Sequence, residues 1–72
     1  MSGGPLRIDA RGLKCPWPAI RLGRALRAGA AIVEIRADDP AAERELAALA
    51  SACGAAFTQL ESQLFCIERQ AA

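Results

Sequence analysis

The sequence predicts an α+β fold: a two-layer α/β sandwich of order βαβαββ, in which a four-stranded mixed sheet carries two helices on one face. Three observations lead there. The chain has 72 residues, room for one domain over residues 1–72 with an ordered core from about residue 6 to about residue 69. Four short segments alternate apolar and polar residues with the period of a strand, and two segments between them carry helical spacing. The last two strand-like segments follow each other directly, so the chain ends in a hairpin rather than another crossover.

Leu6 to Asp9 opens the pattern, with Leu6 and Ile8 on one side and Arg7 and Asp9 on the other. Ala10-Arg11-Gly12-Leu13-Lys14 makes a loop in which Gly12 can take a positive φ. Cys15-Pro16-Trp17-Pro18 then opens a helix. Two prolines two apart would break a helix interior, but they are tolerated in a first turn, where amides lack partners within the helix. Ala19, Leu22 and Leu26 define the buried stripe, and Arg21, Arg24 and Arg27 a separate solvent-facing one. Gly29 is placed to end the helix in a left-handed conformation.

The strand pattern is clearest from Ala31 to Ala37, with Val33, Ile35 and Ala37 on one face and Glu34 and Arg36 on the other. A crossover helix between the first two strands favours a parallel pair. Asp39 suits a helix N-cap, Pro40 the first helical position, and Glu43 the positive end of the dipole. That helix is expected to run through Leu46 and Leu49 to about Ala52, with Gly54 as its stop. Phe57 to Glu61 and Leu64 to Arg69 complete the sheet around a turn at Ser62-Gln63.

Composition excludes several chemistries. Hydrophobic residues make up 53% and charged residues 24% of the chain, which is globular rather than disordered. No uncharged run reaches the length of a membrane span, and the N-terminus lacks the features of a signal peptide. The expectation is a soluble cytoplasmic protein with no membrane partner. With His at 0, no imidazole serves as base or metal ligand. Cys15, Cys53 and Cys66 form no CxxC pair, so neither a zinc site nor a disulfide framework is expected.

Charge is uneven. Residues 1–28 hold six cations against Asp9 alone, a net +5, and residues 29–72 hold three cations against seven acids, a net −4. The basic segment suits steering toward an acidic partner, with Arg11, Arg21 and Arg24 as contacts. The overall charge of +1 and the scarcity of aromatic residues argue against direct nucleic-acid binding.

Cys15 is the residue that carries chemistry. Beside a helix start, a thiolate feels the positive end of the dipole and the free amides of the first turn, an arrangement that lowers a cysteine pKa. Pro16 and Pro18 brace the loop, the Trp17 N–H is the expected donor toward the sulfur, and Lys14 and Arg11 add positive field. Trp17 is either an interface anchor or a lid over the sheet edge. Cys53 and Cys66 are expected to be buried apolar residues.

Gly12-Leu13-Lys14-Cys15-Pro16-Trp17-Pro18 resembles the signature of the TusA/SirA-like sulfur-carrier family, Cys-Pro-x-Pro at the start of the first helix. Asp38-Asp39-Pro40-Ala41 resembles its second signature, and Asp9, Gly29 and Gly54 match further positions across residues 6–69. The resemblance implies the βαβαββ sandwich and a persulfide on Cys15. It implies a cysteine desulfurase or rhodanese-like protein as donor and a further protein as sulfur acceptor, on routes such as tRNA thiolation, molybdenum cofactor or sulfur oxidation. It implies no cofactor, and a carrier rather than a turnover enzyme. Asp39 matches an acidic position implicated in relay contacts. Gly23 stands where the tRNA-thiolation branch has an Arg, Ala47 where a Pro is common, and Trp17 where a Glu or smaller residue is frequent. The alternatives are an RNA-binding module using the arginine stripe, or a thiol-redox regulator oxidised at Cys15.

Overall fold

The computed structural model describes residues 4–70. Its elements are β1 (Leu6–Asp9), α1 (Trp17–Arg27), β2 (Ile32–Arg36), α2 (Ala42–Ala52), β3 (Ala55–Glu61) and β4 (Leu64–Arg69). They form one four-stranded sheet in the order β1-β2-β4-β3. β1 and β2 are parallel, because α1 carries the chain back across the sheet. β4 is antiparallel to both β2 and β3, which makes the sheet mixed as expected. No helix among the described residues is long and apolar enough to cross a membrane.

The strand alternation decides which face is covered. Val33 and Ile35 of β2 and Phe65 and Ile67 of β4 are buried together against Leu22, Ala25 and Leu26 of α1 and Ala42, Leu46 and Ala50 of α2. Phe57 adds a ring stacked on Phe65, with centroids 5.6 Å apart. Leu6 departs from expectation. It has the parity of the core face but is 46% exposed, because β1 is an edge strand and Leu6 lies at its outer end.

The helix ends follow the sequence logic. Gly29, at φ 102°, takes the left-handed conformation that ends α1, and its N–H donates to the Leu26 carbonyl at 3.1 Å. The Arg69 guanidinium, at the end of β4, also donates to the Leu26 carbonyl and so ties the hairpin to this helix end.

Three boundaries differ from expectation. β2 is one residue shorter at each end than Ala31 to Ala37, although the ladder continues through Arg69 N–H to Ala31 O and Ala37 N–H to Gln63 O. β3 begins at Ala55 rather than Phe57, since pairing with β4 overrides the weak strand preference of two alanines. α2 begins at Ala42 with Ala41 in the N-cap position, whereas Asp39 was expected there. Asp39 still does capping work from further out: its carbonyl accepts the Ala42 N–H at 2.9 Å, and its carboxylate accepts the Ala41 N–H at 3.2 Å.

Candidate functional site

Cys15 sits on the loop between β1 and α1, exposed, one residue before the Pro16 N-cap. The Cys15–Pro16 peptide is cis. Pro18 is buried within α1 and anchors the helix start to the core, while Pro16 stays exposed. Gly12 makes the preceding bend at φ 84°, a value that a side chain would resist.

Two carboxylates from the β2–α2 loop hold this segment. Asp38 Oδ1 accepts the Gly12 N–H at 2.9 Å. Asp39 Oδ2 accepts the Cys15 N–H at 2.5 Å, while its other oxygen serves Ala41. The Asp-Asp pair and the cysteine motif, far apart in sequence, are thus stitched into one structure at the sheet end. These bonds hold the Asp39 carboxyl below the ordinary carboxylate range, the Cys15 amide contributing most. Asp39, expected to meet a partner, also binds two of the molecule's own amides.

The sulfur has a different neighbour from the one expected. The Trp17 N–H donates to the Lys14 carbonyl at 2.8 Å, not to the thiol. Pro16 and Pro18 have no N–H to offer. Instead, the Cys15 thiol donates to Glu45 Oε2 on α2, with Sγ and oxygen 2.6 Å apart. This hydrogen bond pushes the thiol pKa up, with desolvation and the charges of Glu45 and Asp39 adding to the rise and Arg44 opposing it. The expected lowering by the helix start is therefore overturned: a carboxylate at hydrogen-bond distance outweighs a half-charge dipole whose nearest amide is spent elsewhere.

The expected cations also divide. Arg11 is bound to Asp9 through Nε–Oδ1 and Nη2–Oδ2 contacts, both 2.8 Å, so its charge is spent locally rather than on the sulfur. Lys14 is exposed and acts on Asp39. Arg44, not singled out from the sequence, is the cation felt by Cys15. Glu45 was missed as well. A helical spacing places it next to Leu46 on α2, but nothing local in the sequence points its side chain at a loop thirty residues earlier.

Arg21 and Arg24 do come together with Trp17. With Ile8 and Ile20 they line an open groove of about 350 Å³ beside the start of α1. Trp17 is 54% exposed and Ile20 36%, so the tryptophan projects rather than covering the core. Gly23 is buried where α1 meets α2, and a Cβ there would lie 3.7 Å from Leu49 Cδ2.

The other thiols depart from their expected burial. Cys53 is exposed at the end of α2. Cys66 is half-buried on the open face of the sheet, between Glu34 and Thr58, because Phe65 and Ile67 take the core side of β4. Burial pushes the Cys66 thiol pKa up, and Glu34 and Glu68 add to the rise.

Comparison with known proteins agrees with this architecture. The family model described as Sulfurtransferase TusA matches residues 6–67. An Archaeoglobus fulgidus protein named as a sulfur carrier is 37% identical over 57 residues, which is 76% of this chain and 74% of the relative. The crystal structure of a SirA-like protein from Desulfitobacterium hafniense aligns with a TM-score of 0.73 at 26% identity, covering 92% of this chain and 99% of that one.

Proposed function

Because the chain belongs to the TusA/SirA-like sulfur-carrier family, we propose that it carries sulfane sulfur as a persulfide on Cys15 and relays it between two partner proteins. The observation that carries this reading is the placement of Cys15: the sulfur is exposed on a loop whose backbone is fixed by Asp38 and Asp39. A carrier needs its sulfur within reach of a donor's cleft and held in one place, and needs no cofactor for the exchange. In loading, the Cys15 sulfur bonds to the outer sulfur of a donor persulfide as the donor's S–S bond breaks. The donor leaves as a thiol and the oxidation states balance.

The donor fits a cysteine desulfurase or rhodanese-like protein, and the acceptor a further protein with its own nucleophile. Trp17 supplies an apolar anchor and Arg21 and Arg24 supply the charge for an acidic partner surface beside the sulfur. Gly12, Lys14, Pro16 and Pro18 shape the loop, and Arg11, tied to Asp9, is left a minor contact. The test is to incubate the protein with glutathione persulfide and weigh it. A gain of one sulfur atom, removed by reductant and located on Cys15 by peptide mapping, is expected. Equal gain in Cys15→Ser would remove the assignment.

A further inference from the structure

The thiol–carboxylate contact has a chemical consequence, resting on the reading of Cys15 as the sulfur carrier. The charged groups that act on Cys15 are Glu45 and Arg44 from α2 and Asp39 from the β2–α2 loop, and Lys14 on its own loop acts in turn on Asp39. Glu45 is in direct hydrogen-bond contact with the sulfur at 2.6 Å, and Asp39 holds the backbone of the same residue at 2.5 Å. The carboxylate in direct contact therefore gives an anionic neighbour to a sulfur that must itself alternate between thiol and persulfide.

We propose that Glu45 biases Cys15 toward giving sulfur away: it holds the empty cysteine as a hydrogen-bonded thiol and repels the anionic persulfide of the loaded one. The two effects act in the same direction. A neutral S–H donates to a carboxylate and gains from it. A persulfide is more acidic than its parent thiol, so at neutral pH the loaded group is an anion, has no proton to donate, and meets like charge within a few ångströms. At neutral pH the exchange is R–S–S⁻ plus Cys15–SH going to R–SH plus Cys15–S–S⁻. On loading, the proton held between Cys15 and Glu45 is released to the departing donor thiolate. On discharge, an acceptor thiol bonds to the outer sulfur as the Cys15 S–S bond breaks, and the acceptor's proton passes to Cys15, which recovers its bond to Glu45. Glu45 thus stabilises the product of discharge and not its reactant.

The test compares wild type, Glu45→Gln and Arg44→Gln at a fixed ratio of glutathione persulfide to glutathione. Occupancy of Cys15 is read by peptide mass and its alkylation rate is followed against pH. Glu45→Gln is expected to load to a severalfold higher ratio and to alkylate faster at neutral pH, its profile moving to lower pH. Arg44→Gln, at an exposed position, is expected to move both readouts the opposite way. A merely structural role for Glu45 would lower thermal stability without moving the pH profile. Sulfur on Cys15 at equal occupancy in all three proteins, with unchanged profiles, overturns this inference and leaves the carrier reading intact. Sulfur absent from Cys15 in all three overturns both.

Discussion

The backbone N–H of Cys15 donates to Oδ2 of Asp39 at 2.5 Å, joining two motifs that lie twenty-four residues apart. The same aspartate accepts the Ala41 N–H, so one carboxylate fixes both the Cys15 loop and the entrance to α2. Removing it frees two amides at once. In Asp39→Ala the Cys15 amide is expected to exchange with solvent about tenfold faster or more, the loss of one bond to a charged acceptor. Asp38→Ala should do the same to Gly12 and leave Cys15 largely protected. Residue-resolved hydrogen exchange separates the two.

Acid should release the same clamp. The folded Asp39 carboxyl titrates below its ordinary value of 3.8, so it binds its proton less readily than in the unfolded chain. Its contribution to stability is therefore present above 3.8 and is lost as pH falls through the lower folded value. An NMR titration of the Cys15 amide shift should show its midpoint below 3.8. A midpoint at or above that value would contradict the hydrogen bond.

Alkylation should rank the thiols by environment rather than by exposure alone. Cys15 and Cys53 are both exposed, but the bond to Glu45 holds the Cys15 thiol above its ordinary value. Iodoacetamide at neutral pH is expected to label Cys53 ahead of Cys15, with Cys15 catching up as pH rises through its raised value. Cys66, half-buried and also raised, should label last. If Cys15 labels first at neutral pH, the contact with Glu45 does not govern its protonation.

Docking should depend on charge beside Trp17. Replacing both Arg21 and Arg24 by Glu is expected to slow association with an acidic donor protein about tenfold at low salt, the gap closing as salt screens it. Stopped-flow association at several ionic strengths provides the measurement. An effect confined to dissociation would argue for direct packing instead of steering.

The core sets the stability margin. Leu46 is fully buried between α2 and the sheet, and Leu46→Ala is expected to cost about 2–5 kcal/mol in denaturant melts. A domain this small has little to spare, since total stability runs near 0.05–0.15 kcal/mol per residue. Leu60, 48% exposed on β3, should tolerate the same change within about 0.5 kcal/mol.

Much of the fold is local and was legible. The proline pair located the start of α1, Gly29 and Gly54 marked where helices stop, and the alternation of Val33 and Ile35 identified the buried side of β2. Parity misled at Leu6, and the usual burial of free cysteine misled at Cys53 and Cys66. Alternation says that two faces differ, but not which strand lies at an edge or which face the helices cover. β3 began earlier than expected because Ala55 and Ala56 carry no strand signal of their own and are extended by their partners in β4.

At the site, the sequence by itself singled out Cys15 as the candidate for the chemistry and put it on a proline-braced loop, since both are readings of a few adjacent residues. Only the tertiary structure decided what that sulfur touches. Asp38 and Asp39 reach the loop because β1 and β2 are parallel neighbours whose ends lie side by side, and Glu45 reaches the thiol because α2 starts from that same end. Electrostatics depends on distance through space. A helix start one residue away in the chain was outweighed by a carboxylate thirty residues away that the fold brings to 2.6 Å.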